Sequence, residues 1–128
     1  MVVNLRSLGG AADTAMAIGC IIRARGFNTY VDRNDTCFSA CGLIWLAGVK
    51  RYASASGAIG FHDVCAIDKG VSQVSASGNA LAGAYMSRLG LSDIAIDHLT
   101  AADPDERRLL TFRDAAVLGI EEILFEVP

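Results

Sequence analysis

Three short segments of this chain carry residue types that could attack a carbonyl and move a proton. Cys37-Phe38-Ser39-Ala40-Cys41 sets a serine between two cysteines at the head of an apolar run that continues to Val49. A serine in that place reads first as a helix N-cap. The same place also aims backbone N–H groups at whatever the hydroxyl attacks, and the N–H of Ala40 is the next in line. Gly57-Ala58-Ile59-Gly60-Phe61-His62 is a small-residue stretch ending in one of only two histidines. A lone histidine is more often structural than catalytic, but a serine hydroxyl needs such a neighbour to take its proton. Ser7-Leu8-Gly9-Gly10 falls where a strand gives way to a helix. Glycines there reach backbone conformations closed to other residues and expose N–H groups, which suit an anion or a developing oxyanion. Alone, a Gly-Gly pair before a helix is more often only a turn. Together the three segments spell acyl transfer: Ser39 attacks, His62 accepts and returns the proton, and Gly9 or Gly10 with Ala40 holds the oxyanion.

The elements that must position these residues follow from the pattern along the chain. Val2 to Arg6 is a β-type run, and Ala11 to Arg25 has apolar positions Ala15, Ile18, Ile21 and Ile22 at helical spacing. Gly26 stands where a C-terminal cap wants it. Asn28 to Val31 reads as a second strand and Asp32 to Asp35 as a polar turn. Phe38 to Val49, apolar nearly all round, reads as a helix buried at the centre of a domain. Arg51 to Ala53 and Ala58 to His62 read as strands with Gly57 at the turn between them, Val64 to Gly70 as a connection, and Val71 to Leu89 as a long helix. A short helix through His98 is capped by Ser92 or Asp93, Ala101 to Glu106 is an acidic turn, Thr111 caps a helix ending near Gly119, and Ile120 to Val127 returns as a strand. This alternation implies an α/β fold with a mainly parallel sheet flanked by helices.

Composition narrows the function classes. The chain has 128 residues, 52% of them hydrophobic and 20% charged, which suits one domain with an ample core. The net charge of −3 and the absence of any Lys/Arg cluster argue against a nucleic-acid surface. No apolar run is long enough to span a bilayer, and no leader of signal-peptide type is visible. Four cysteines occur, at 20, 37, 41 and 65. A zinc site from Cys37, Cys41, His62 and Cys65 is arithmetically possible, but neither pair sits in a Gly-rich knuckle, so no metal and no cofactor is expected. Disulfides suit an oxidising compartment. The expectation here is that at least one of Cys37 and Cys41 is a free thiol packed against Leu43 or Trp45.

The same segments resemble the Clp protease proteolytic-subunit family, within the wider crotonase-like fold. The matching residues are Ser7-Leu8-Gly9-Gly10 for the oxyanion strand end, Ser39 for the nucleophile and His62 for the base, at intervals close to the family's own. Leu46-Ala47-Gly48 with Lys50-Arg51-Tyr52, and Thr111 to Ile120, also resemble stretches of that family, so the resemblance runs from residue 2 to 122. The Cys-x-Ser-x-Cys setting looks most like the uncharacterised bacterial branch described as periplasmic Clp-like proteins. What the resemblance implies is a single Clp/crotonase-like domain over 1–128 lacking the family's N-terminal part, a peptide substrate and a homo-oligomer. Two departures bear on activity. Leu8 replaces the usual proline, and Arg107 stands where the family carries the acid that orients the histidine. Asp105, Glu106 and Asp103 lie close by, and Asp105 is the candidate substitute; Asp63 adjoins His62 but points to the other face of a strand. A Ser-His dyad or a triad with a displaced acid is therefore expected. Alternative readings are a catalytically inactive Clp-like pseudo-enzyme or oligomeric assembly module, and a crotonase-type thioester-binding protein, against which the Ser/His pair argues.

Overall fold

The computed structural model describes residues 1–61, 65–68, 71–74, 76–101 and 108–128. Four strands form one all-parallel sheet: β1 (Val2–Asn4), β2 (Asn28–Val31), β4 (Arg51–Ala53) and β9 (Ile123–Leu124), side by side in that order. Three others form a second sheet, in which β3 (Thr36–Phe38) runs parallel to β5 (Ala58–Phe61) and β8 (Arg108–Leu109) runs antiparallel to β5. A hairpin of β6 (Cys65–Asp68) and β7 (Val71–Val74) stands apart. The helices are α1 (Ala12–Ala24), α2 (Ala40–Leu46), α3 (Ala76–Arg88), α4 (Asp93–Thr100) and α5 (Phe112–Leu118). The α/β architecture with a mainly parallel sheet thus stands as expected. Among the described residues no helix is long and apolar enough to cross a membrane.

Local signals explain most boundaries. Gly26, at φ +68, ends α1; its N–H donates to Arg23 O and that of Phe27 to Ile22 O, which satisfies two carbonyls of the last turn. Ser92 Oγ accepts from Ala95 N–H at the head of α4, and Thr111 Oγ1 accepts from Asp114 N–H at the head of α5.

The core is built around α2, whose Ala40, Cys41, Gly42, Leu43, Trp45 and Leu46 are all buried. Seven residues make a helix too short to satisfy its own ends, and its C-terminal carbonyls are met from elsewhere. Thr29 Oγ1 donates to Trp45 O at 2.7 Å, Arg51 Nε to Leu46 O at 2.9 Å, and Arg23 Nε to Ala47 O at 2.9 Å. Burial, then the nearby Arg23 guanidinium, hold the Arg51 guanidinium below its ordinary value. Tyr85 of α3 donates from its hydroxyl to Leu43 O at 2.6 Å, and Trp45 Nε1 to Tyr52 O at 3.1 Å. Gly42 lets α2 lie directly on β5: a Cβ there would stand 2.7 Å from the Phe61 ring and 3.1 Å from Gly60 O.

The structure differs from the sequence expectations in five places. Within the expected connection Val64 to Gly70, Cys65–Asp68 forms strand β6 because it finds an antiparallel partner in β7. Phe38 to Val49 is not one helix. Thr36–Phe38 forms β3, and the helix starts at Ala40 and ends at Leu46. The β-branched Thr36 and aromatic Phe38 favour the strand, which finds a parallel partner in β5. Val71–Val74 is a strand rather than the start of α3, because the pairing with Cys65–Asp68 outweighs the helical pattern read backwards from Ala76. Arg108–Leu109 was not expected as a strand; it pairs antiparallel with β5. The last strand shortens to Ile123–Leu124.

Candidate active site

Ser39 stands at the junction of β3 and α2, where the chain turns sharply from strand to helix. Its backbone has φ +59 and ψ −118, outside the left-handed helical region that a non-glycine residue sometimes adopts. Such a conformation persists only where the surroundings over-determine it, and strained residues of this kind cluster at active sites. Three backbone bonds fix the turn. Ser7 N–H donates to Thr36 O at 2.9 Å, Phe38 N–H donates back to Ser7 O at 3.0 Å, and Ser39 N–H donates to Gly60 O at 2.9 Å. The strand entered at Val2 therefore pairs first with β2 and then, through Ser7 and Cys37, with β3. This switch brings the Ser7-Leu8-Gly9-Gly10 turn beside Ser39. Gly9, at φ +139, approaches so closely that a Cβ there would sit 3.4 Å from Ser39 Cβ and 3.8 Å from Ser39 Oγ.

The Ser39 side chain makes no capping hydrogen bond to α2, so its hydroxyl is not used in the way a serine at a helix head usually is. Among the described residues, the N–H groups of Gly10 and Ala40 donate to no backbone acceptor. That of Gly9 is turned the other way, onto Ser7 Oγ at 3.2 Å, while Ser7 Oγ itself lies 3.0 Å from Gly9 O. Gly10 and Ala40 are thus, among the described residues, the donors beside Ser39 with no backbone acceptor.

A cavity of about 130 Å³ opens at this point, bounded by Gly10, Ser39 and Ala40 on one side and by Phe61, Met86 and Leu99 on the other. Gly10 and Ala40 also border a second, more open groove of about 350 Å³ that runs past Ser7 and Thr14. The far wall of the smaller cavity comes from α3 and α4 through Ala82, Met86, Leu99 and Thr100. The sequence reading did not anticipate this wall. Nothing local distinguishes those residues from ordinary core positions; the packing of α3 on α2, where the Tyr85 hydroxyl reaches Leu43 O, and of α4 on α3 puts them there.

β5 ends at Phe61, one residue before His62. His62 lies outside the described residues, as do Asp63, Asp103, Asp105, Glu106 and Arg107. The other histidine, His98, is in the last turn of α4.

The cysteines depart from expectation. Cys37 and Cys41 form a disulfide across the Ser39 turn, with Cα atoms 5.0 Å apart. Neither is a free thiol, and a zinc site from Cys37, Cys41, His62 and Cys65 would lack two of its four donors. The bridge is possible because Cys37 lies in β3, outside the helix, and Cys41 in the first turn of α2. Cys20 is free and exposed.

Two solved structures share this arrangement of elements. A mutant of the 1510-N membrane-bound stomatin-specific protease, with a serine replaced by alanine, superposes with a TM-score of 0.73 at 18% identity, over 98% of this chain and 64% of that one. A lysine-to-alanine mutant of the 1510-N protease, in complex with a substrate peptide, superposes with a TM-score of 0.71 at 18% identity, over 98% of this chain and 60% of that one. The present chain therefore spans less than two thirds of the length of those proteases. No protein-family model and no curated protein matches it by sequence. Likeness at this identity establishes the fold: the chain has the α/β Clp-like protease fold.

Proposed function

We propose that this chain is one Clp-like domain acting as a serine hydrolase on peptides, with Ser39 as nucleophile and His62 as general base. The observation that carries the reading is the Ser39 turn: a strained serine whose hydroxyl caps no helix, beside two N–H groups that donate to no backbone acceptor among the described residues, at a cavity of mixed polar and apolar lining. In this mechanism Ser39 Oγ attacks the scissile carbonyl carbon while its proton passes to the His62 imidazole. The carbonyl oxygen becomes an oxyanion and receives the N–H groups of Gly10 and Ala40. Collapse breaks the C–N bond, and the departing amine takes the proton from His62. Water then attacks the acyl-Ser39 ester by the same route in reverse, releasing the acid and restoring both side chains. The cavity of about 130 Å³ suits a small apolar side chain on the acyl side. The peptide carried by the neighbouring protease supports a peptide as substrate class, and the resemblance to ring-forming Clp subunits supports a homo-oligomer.

A fluorophosphonate probe followed by peptide mapping tests the reading. Modification confined to Ser39 and absent from Ser39→Ala is the expected result. No modification of folded protein would point to the second reading, an inactive Clp-like module, which the substitution of Arg107 for the family's acid favours. Asp105 is the proposed replacement for that acid. Its role is tested by Asp105→Asn, which should slow labelling if Asp105 orients His62 and leave it unchanged if the site is a dyad.

A further inference from the structure

We propose that the Cys37–Cys41 disulfide is a positioning element that holds Ser39 in the conformation from which its hydroxyl attacks. The inference deepens the reading of Ser39 as nucleophile and rests on it. The bridge closes a ring over Phe38, Ser39 and Ala40, with the serine at its centre. Upstream of Ser39 the turn is well tied: Phe38 N–H reaches Ser7 O, Ser39 N–H reaches Gly60 O, and Cys37 sits in register with Ile59 of β5. Downstream it is not. The first helical bond, Leu43 N–H to Ser39 O, is long at 3.3 Å, Ala40 N–H finds no backbone acceptor among the described residues, and the Ser39 side chain does not cap α2. The disulfide is the covalent tie on that side, joining the first turn of α2 back to β3.

The state competing with this one is definite. A serine at a helix head ordinarily takes an extended backbone, with its hydroxyl accepting from an N–H two or three residues on. In this chain those donors are Cys41 and Gly42. Opening the bridge frees Ser39 to rotate into that ordinary cap, which turns Oγ away from the cavity and occupies it with α2. Reduction by a dithiol balances with no third reactant: the dithiol gives up two electrons and two protons and closes to its own disulfide, and two cysteine thiols form. Both sulfur-bearing residues are buried, Cys37 at 0% and Cys41 at 2% exposure, so a small dithiol reaches the bridge only slowly in the folded protein. The two cysteines lie only four apart in sequence, so the bridge constrains the unfolded chain less than one closing a long loop would.

The test compares oxidised wild type with a Cys37→Ala/Cys41→Ala double variant. Unreduced, denatured wild type must first show two fewer titratable thiols than the reduced protein; four free thiols overturn the proposal. The variant should keep a cooperative melt. Its rate of fluorophosphonate labelling at Ser39, and its kcat on p-nitrophenyl acetate, should fall 10- to 100-fold, the loss expected when a reacting atom is displaced by about 1 Å. KM should hold within about twofold, since the cavity walls are untouched. A folded variant that labels at the wild-type rate overturns the clamp, as does a rise in KM with kcat unchanged. If the variant does not fold, wild type reduced with dithiothreitol replaces it, with labelling read against the thiol count. If oxidised wild type never labels at Ser39, the nucleophile reading fails by itself. The clamp is then judged by amide exchange at Ser39: faster exchange on reduction supports it, and unchanged exchange overturns it.

Discussion

Replacing Ser39 by glycine should make the protein more stable while abolishing its reactivity. The residue holds φ +59 and ψ −118, a conformation that costs a side-chain-bearing residue on the order of 1–3 kcal/mol. Glycine adopts it without that cost but loses roughly 0.5–1 kcal/mol through the extra freedom of its unfolded state. Little else is lost, because the half-buried serine side chain makes no capping bond. The balance is a gain of about 0–2.5 kcal/mol, which for a domain of this length raises Tm by up to roughly 10 °C. Ser39→Ala is the matched control, since it removes the hydroxyl and keeps the Cβ that causes the strain. Calorimetry on wild type and both variants, with fluorophosphonate labelling alongside, provides the comparison. Ser39→Gly should melt above both of the others, and neither variant should label. If Ser39→Gly melts at or below Ser39→Ala, no strain is stored at the turn and the physical basis for reading it as a nucleophile position is removed.

Gly42→Ala places a methyl 2.7 Å from the Phe61 ring and 3.1 Å from Gly60 O, the acceptor of the Ser39 N–H; overpacking of this kind should cost about 1–3 kcal/mol in urea unfolding and slow Ser39 labelling as well. Ala82→Leu should fill the cavity beside Ser39, lowering labelling by a probe with a bulky alkyl chain more than labelling by a methyl analogue, while equal effects on both would show that the cavity does not receive the acyl side. Glu122 lines a separate cavity of about 310 Å³ with Oε1 buried and unpartnered among the described residues, and burial pushes its carboxyl up to about 7. Between the ordinary value of 4.5 and about 7 the folded state binds the extra proton, so stability should fall as pH rises through that window. Allowing for partial solvent access, the fall should be roughly 1–2 kcal/mol, visible as a Tm difference between pH 4.5 and pH 8 that Glu122→Gln abolishes.

Much of this was legible in the residues, and what was not has a physical reason. Gly26, Ser92 and Thr111 announce helix ends because caps are local: the side chain and the backbone groups it satisfies lie within a few residues. Ser39 stands out less by itself, where an ordinary N-cap is the first reading, than together with the Gly9-Gly10 turn and the strand ending at His62. The strand Thr36–Phe38 was hidden because its three residues merge with that run, and only a partner twenty-two residues on, at Ala58 to Gly60, makes it a strand. The disulfide was hidden because it depends on how closely the end of β3 approaches the first turn of α2, which no residue pattern records. The cavity wall of Ala82, Met86 and Leu99 was illegible for a deeper reason. Which of several apolar helix residues faces a serine forty or more positions earlier is decided by how whole helices dock, and no local pattern records that.

The bond from Ser39 N–H to Gly60 O has a bearing on timing. A chain is made from its N-terminus, and at the moment Ser39 appears its acceptor does not yet exist. Until residues 58–61 have followed and lain down beside Thr36–Phe38, nothing holds the serine turn from that side. The far wall of the cavity arrives later still, with Met86 and Leu99. A nascent or truncated chain ending before Gly60 would thus carry the serine and both cysteines without the tie that shapes their turn. Competence at this turn is acquired only once synthesis has passed Leu99.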